Sequence, residues 1–360
     1  MEVMRGRSKK QLSMLAPVNL EERVPAKHPL REVKRIADDV LEQLSPTFDA
    51  MYEERRGRKS VPPERLLKAM LLIALYSVRS ERMFCEQLDY NLLFRWFLDM
   101  DLDEDSFDHS TFTRNRDRLL AHDVAGEFFR AVVERARTRQ LMSREHFSVD
   151  GTLIDSWASL KSFRPKDEDD DDNNGWGGFR GKKRSNATHE SKTDPDAKLM
   201  RKGNGQPAKL SYAGHALMEN RNGLLVDVLV NEANGWAERN GALEMLNRSL
   251  PGVRRITLGA DRGYDAKSFV RELREAEVTP HIAQSTHRRA ATDARTVRHP
   301  GYALSLKIRM RIEPIFGWLK SVAGLRRSRL RGIRKTQHLA YLAGAAYNLL
   351  RMAKLQPMAA

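Results

Sequence analysis

Three acidic residues far apart in the chain carry the most informative chemistry in this sequence. Asp150 closes the apolar run of HFSVDGTLIDSW, Asp261 closes that of RITLGADRGYD, and Glu313 lies inside the basic segment RMRIEPIFGWLK. Two-metal phosphodiester chemistry requires such a set, because two divalent ions about 3.5–4 Å apart must be clamped by hard oxygen ligands beside the scissile phosphate. The chain carries 63 Lys and Arg against 48 Asp and Glu, a formal charge of +15. An excess of that size attracts polyanions, nucleic acid first among them, although a basic surface on an ordinary soluble protein has the same composition.

The two aspartates each follow an apolar, β-branched run, which places them at strand ends where a sheet presents ligands. Each has an acidic neighbour that competes for the role. Asp155 shares a strand with Asp150, but an odd offset turns it to the opposite face. Asp265 is better explained as a helix cap. Taken alone, either aspartate reads equally well as a turn or capping residue; the case rests on the three acids together.

Glu313 has Arg309 four residues before it and Lys320 seven after it. At about 100° per residue the three share one helical face, so the cations would grip phosphates beside a metal held by the carboxylate. The same spacing also describes a solvated salt-bridge stripe. Pro314 disfavours helix at the residue before it, so the helix begins or kinks at Glu313, loosening the claim on Arg309 and leaving Lys320 in register.

The elements that must position these residues fall into two groups. Residues 1–28 read as a flexible basic arm, and 29–142 as an all-helical domain. Pro63 suits a first helical position, Leu66, Leu67, Met70, Leu71, Ile73, Ala74 and Val78 recur at helical intervals, and Ser110 or Thr111 would cap a later helix. From 143 to 360 the pattern becomes strand, hairpin, helix, strand, helix, strand, helix, a mixed α/β sheet. Asn222-Gly223 between two alternating runs is a strong hairpin signal. The low-complexity stretch at about 161–207 contains six consecutive acids, Asp167 to Asp172, and reads as a disordered insertion.

Several alternatives are excluded. Cys85 is the sole cysteine, so there is no internal disulfide and no cysteine-rich zinc site. The apolar stretch LLKAMLLIALY is too short to span a bilayer, no secretory signal is evident, and a cytoplasmic, nucleoid-associated protein is expected. No phosphate-binding GKS or GKT loop exists, so ATP is not expected. No arginine and histidine grouping surrounds Tyr264 or Tyr347 as a covalent nucleophile would need. Arg326, Arg327, Arg329, Arg331, Arg334 and Lys335 form a dense basic block after Lys320, and Arg114, Arg116 and Arg118 lie on a predicted helix; either group would line a DNA path or simply solubilise its segment.

The sequence resembles the insertion-sequence transposases with an Asp-Asp-Glu triad on an RNase H-like fold, close to the insertion-sequence-5 family. Arg309, Glu313 and Lys320 match that family's Y-x2-R-x3-E-x6-K signature, while Leu306 stands at the tyrosine position and the nearest aromatic is Tyr302. PPERLLKAMLLIALYSVRSERMFCEQLDYNLLFRWF, HSTFTRNRDRL, KTDPDAKLMRKG and AAYNLLRM look familial too, so the likeness spans nearly the whole chain. It implies that Asp150, Asp261 and Glu313 are the catalytic metal ligands, with two Mg²⁺ or Mn²⁺ ions. Arg309, Lys320, Arg326, Arg327, Arg329 and Arg331 are the expected DNA contacts. It further implies cleavage of element ends, joining to target DNA, and a homodimer or higher assembly on that DNA. The competing readings are an inactive or repurposed DNA-binding relative, and an RNase H-like nuclease without strand transfer.

Overall fold

Leu30, Val33, Ile36, Ala37, Val40 and Leu41 recur at the intervals that put one stripe of a helix against a core, and all are buried. They belong to the second of eight helices in the N-terminal region of a computed structural model, which describes residues 18–51, 60–166, 184–203, 205–252, 255–285 and 289–355. The helices are α1 (Leu20–Arg23), α2 (Pro29–Gln43), α3 (Ser45–Asp49), α4 (Pro63–Leu75), α5 (Glu81–Tyr90), α6 (Leu92–Phe97), α7 (His109–Ala121) and α8 (Val124–Thr138). Pro63 opens α4 as its spacing predicts. Lys68, inside that apolar helix, is buried and neutralised by Asp38, 2.9 Å away, and by Asp99. The cap of α7 is Asp108, whose carboxylate accepts from Ser110 N at 2.8 Å, so neither Ser110 nor Thr111 is the cap. Both lie inside the helix, past the position that a cap occupies.

The second region comprises β1 (His146–Asp155), β2 (Phe163–Pro165), β3 (His189–Ser191), β4 (Lys198–Met200), β5 (Lys209–Glu219), β6 (Leu225–Glu232), α9 (Ala237–Ser249), β7 (Ile256–Ala260), α10 (Lys267–Glu275), β8 (Val278–Ile282), α11 (Ala294–Arg298), α12 (Pro300–Arg309), α13 (Ile312–Ser321) and α14 (Ile333–Leu355). The sheet runs β5–β1–β7–β8, with β4 and β6 both on the far edge of β5. Pairing is antiparallel for β6, β5 and β1 and parallel for β1, β7 and β8. This is the mixed, RNase H-like α/β arrangement expected.

The predicted hairpin is present, with Gly223 at φ +74°. Its turn is closed by the buried Glu219 carboxylate, which accepts from the backbone N–H groups of Arg221, Asn222 and Leu224 and from Ser143 N across the sheet. The outer edge of β6 is covered by α14. Asn348 accepts from Leu225 N and donates to Leu225 O, both at 2.8 Å, and Gln337 does the same for Val230 N and Val228 O. An edge satisfied in this way cannot template a further strand.

Three expectations about organisation change. Helix α14 packs against α2, α4 and α8 as well as β6, and one continuous apolar cluster includes residues of both regions. The helical stretch 29–142 therefore shares its core with the end of the chain. Within 1–28, residues 18–28 carry α1, whose Glu21 is held by Arg31 and Trp96, while 1–17 lie outside the described residues. The flanks of 161–207 are ordered: β2 pairs with β3, β4 joins the main sheet, and Asn186 bonds both N and O of Leu199. Side-chain-to-backbone bonds hold these pieces, so apolar periodicity does not reveal them. The acidic run Asp167 to Asp172 lies outside the described residues.

Candidate active site

The parallel register of β1 and β7 brings two of the three acids together. It ends at Ser148 opposite Gly259, and Asp150 and Asp261 each stand two residues further on, so both emerge from the same face at the same level. Asp150 is not at the end of β1, which continues to Asp155 paired only with β5; it marks the point where β1 outruns β7. Asp261 directly follows β7, and its Oδ1 accepts from Gly263 N at 2.8 Å. Asp155 faces away, as the odd offset predicts, and pairs with Lys209 at 2.7 Å.

Asp265 is not a cap of α10. It is buried, and its two oxygens accept from the backbone N–H groups of Ser285, Ala291 and Thr292. It pins the loop after β8, a role that depends on residues distant in sequence.

Glu313 is exposed in the first turn of α13. The chain bends at Met310 and Arg311, so Arg309 ends α12 and does not share a helix with Glu313. The helix thus begins at Ile312, one residue before the expected Glu313, and the bend lies three to four residues ahead of Pro314, whose ring and missing N–H oppose a continuous helix there. Arg309 instead turns into the site, with Nη1 3.3 Å from Asp150 Oδ2. Burial pushes the Asp150 carboxyl up to about 6, and Asp261 and Glu313 add to that, while the Gly151 N–H and Arg309 oppose it. Asp150 thus senses the charge of both other acids. Among the described residues no three His, Cys, Asp or Glu are gathered as closely as a formed metal centre. The donor set nevertheless suits hard divalent cations, being carboxylate oxygens with one partly buried guanidinium as counter-charge.

Lys320 is half-buried on α13 and forms no ion pair with Glu313. Burial lowers its pKa, followed by Lys202, with Asp155 opposing and Arg326 adding to the effect. The basic block is fixed beside β1: Asp155 N donates to Arg326 O at 3.1 Å, and Ser328 N donates to Asp155 O at 2.8 Å. Arg327 is committed to structure, donating to Ser156 O and Trp157 O and lying 4.6 Å over the Trp157 ring. Arg334 donates to Leu120 O and Ala121 O at the end of α7. Arg326, Arg329 and Arg331 are exposed and enter no ion pair among the described residues. On α7, Arg116 is paired with Glu81. Tyr302, the aromatic nearest the missing signature tyrosine, is buried and donates its hydroxyl to Ile282 O at 2.8 Å.

Residues 18–118 match the family described as transposase domain (DUF772), and residues 178–349 match the transposase DDE domain. The chain is a DDE-type transposase. The second match contains Asp261 and Glu313, and Asp150 precedes it. None of the curated proteins matches the transposase. Among solved structures it is similar to a piggyBac transposase synaptic complex with hairpin DNA, at 11% identity over 93% of this chain and 77% of that one, TM-score 0.43. A pre-cleavage Mos1 transpososome follows, at 10% identity over 86% and 85%, TM-score 0.21. A Mos1 paired-end complex with Mn gives 10% identity over 92% and 90%, TM-score 0.20. Superpositions this loose add nothing to the family assignment.

Two residues of the site escape the sequence reading. Glu238, in the first turn of α9, reaches over both aspartate segments: a Cβ on Gly151 would stand 2.8 Å from its Cγ. Although Glu238 stays exposed, partial desolvation first, then Asp261 and Asp150, push its pKa up. Tyr264 is fully buried, its hydroxyl lacks a hydrogen-bond partner, and burial together with Glu238, Asp150 and Asp261 raises its pKa. The glycine after Asp150 and the one two residues after Asp261 are the signals that would have pointed here.

Proposed function

We propose that the transposase, an enzyme of the insertion-sequence-5 type, cleaves the ends of its element and joins them to target DNA, with Asp150, Asp261 and Glu313 as the catalytic carboxylates. The observation that carries this reading is the β1–β7 register, which levels Asp150 with Asp261 while α13 brings Glu313 within reach of the same charge field. These three residues would hold two Mg²⁺ or Mn²⁺ ions, which when bound supply Lewis-acid activation and neutralise charge on the phosphate.

The chain's own groups divide the remaining work. Arg309 holds Asp150 in place and offsets part of the negative charge of the centre. Lys320 and the exposed Arg326, Arg329 and Arg331 lie along the same end of β1 and bind the phosphates that lead to the cut. Water attacks the phosphorus at each element end and a 3′-hydroxyl leaves; that hydroxyl then attacks a phosphodiester of the target, forming the new P–O bond as the target strand's own 3′-oxygen departs and takes up a proton. The arginine-bearing helices of the N-terminal region recognise the element ends, and pairing two ends requires at least a dimer on DNA. The enzyme acts in the cytoplasm at the nucleoid.

A cleavage and joining assay on DNA flanking the gene tests this reading. Nicked ends that become covalently linked to a target plasmid are expected. Products that stop at hydrolysis would make the protein a nuclease, and retention of intact DNA would make it a binding protein.

A further inference from the structure

We infer that Glu238 is a fourth carboxylate of the metal centre, placed by α9 across the two aspartate segments. The inference rests on the metal-dependent reading above. Helix α9 is clamped at its far end, where Arg248 donates two hydrogen bonds to Asp227 on β6, at 2.6 and 2.7 Å, and Ser249 Oγ donates a third at 2.6 Å. In its middle, Gly241 lies so close to β5 that a Cβ there would stand 2.8 Å from His215 Cδ2. These two anchors leave the first turn of α9 no freedom to lift from the sheet, and Glu238 is in that turn.

Both aspartate segments are shaped to receive it. A Cβ on Gly151, next to Asp150, would meet Glu238 Cγ at 2.8 Å and Oε1 at 3.1 Å. A Cβ on Gly263, just past Asp261, would stand 3.0 Å from Asp261 Oδ1 and 3.7 Å from Glu238 Oε2. One carboxylate therefore lies against both segments. It has no ion-pair partner among the described residues, since the adjacent Arg239 is turned onto the Trp236 ring at 4.7 Å.

A solvent-seeking glutamate would avoid two aspartates, because like charges disfavour the ionised form. Position alone does not make it a ligand, but Tyr264 supplies an independent sign. Its hydroxyl is fully buried, has no hydrogen-bond partner and lies near enough to Glu238, Asp150 and Asp261 to feel their charge. An unpartnered buried donor beside three carboxylates suits a supporting contact for ligands held in a filled centre, as the outer partners of metal-binding carboxylates commonly are.

Manganese titration of the full-length protein, followed by the loss of the free Mn²⁺ paramagnetic signal, tests the inference without any cleavage readout. Glu238→Gln is expected to weaken Mn²⁺ binding on the order of tenfold or more. Gly151→Ala should weaken it similarly, because its methyl displaces the Glu238 side chain while leaving every carboxylate present. The double variant should bind no more weakly than the worse single one. Glu238→Asp, which keeps the charge on a shorter arm, should fall between wild type and Glu238→Gln, and thermal melts establish that each variant is folded. If Asp150→Asn and Asp261→Asn lose Mn²⁺ while Glu238→Gln and Gly151→Ala bind it as wild type does, Glu238 is no ligand and the triad stands. Wild-type protein that takes up no Mn²⁺ would overturn both readings.

Discussion

The parallel strands β1, β7 and β8 end in two contrasting surfaces. At their N-terminal end a cavity of about 1040 Å³ is lined by His146, His281, His299, Arg274, Arg295 and Asp293, among others. Past the C-terminal end of β7, where β1 runs on beyond it, stand Asp150 and Asp261, with Glu238 and Glu313 beside them. The first surface is roomy, and in it Arg274 is bound to Asp293 and His146 shares a 2.9 Å hydrogen bond with Thr257, while His281 Nδ1 and Ser305 Oγ have no partner. The second has Arg309 as the cation paired to its carboxylates. Volume therefore does not locate the chemistry of this fold. Uncompensated charge does, because ionised groups crowded at one point are tolerated where something else is to bind.

The largest effects should separate the two ends by activity. Asp150→Ala, Asp261→Ala or Glu313→Ala should each lower cleavage and joining at least about a thousandfold, roughly 4 kcal/mol of barrier, with end binding retained. Arg295→Ala at the opposite end, and Asp155→Ala on the other face of β1, should leave the cleavage rate unchanged. Strand transfer by any one triad variant would remove that residue from the mechanism. EDTA should abolish reaction and Mg²⁺ or Mn²⁺ restore it, whereas Ca²⁺, with looser and higher coordination, should permit binding alone. Undiminished cleavage in excess EDTA would end the metal reading.

Acid should act on the two ends with opposite sign. Asp150 is raised from 3.8 to about 6, so the stability it contributes is complete below pH 3.8 and is lost as pH rises through 6. In EDTA at pH 8, where the buried carboxylate is ionised, Asp150→Asn should recover at most about 3 kcal/mol, the free energy of holding that charge in the fold rather than in water. No gain should remain at about pH 3.5, where the carboxyl is protonated in both states. His281 is lowered from 6.5 to about 4, by burial first and then by His299 and His146. Its stability contribution is present above pH 6.5 and lost as pH falls toward 4. His281→Asn should flatten that acid limb in a pH series of thermal melts. An Asp150→Asn variant no more stable than wild type at pH 8 would mean that burial and the neighbouring carboxylates do not penalise the Asp150 charge as placed.

The smallest effects concern the basic block. Arg326→Ala, Arg329→Ala, Arg331→Ala and Lys320→Ala should each reduce the slope of log K against log salt by about 0.9, one duplex phosphate contact apiece. Arg327→Ala should instead lower thermal stability by about 1–2 kcal/mol, since its guanidinium holds two backbone carbonyls. A loss of salt slope with unchanged melting for Arg327→Ala would return it to the DNA-contacting set.

Much of this was legible in the residues. The hairpin at Asn222-Gly223, the strand at Ile256–Ala260, the start of α4 at Pro63 and a bend shortly before Pro314, at Met310 and Arg311, are local decisions, set by backbone freedom and by alternation within a few residues. The order of elements follows from them, and so do the three acids as candidates. The role of Asp265 was misread because its three backbone donors lie 20 or more residues away. Glu238 was missed because helical periodicity in α9 does not indicate which strand its first turn will face.

The sequence by itself therefore determined the alternation of helix and strand, the basic charge and the presence of hard oxygen ligands. Tertiary structure decided which of those ligands meet. A parallel register levels Asp150 with Asp261, a bend between α12 and α13 sends Arg309 to Asp150, and the clamp on α9 brings Glu238 over both aspartate segments. It also decided that the helices beginning the chain close around the helix that ends it. Spacing along a chain specifies a direction within one element, whereas the meeting of two elements depends on packing and hydrogen bonds between residues that no local pattern links.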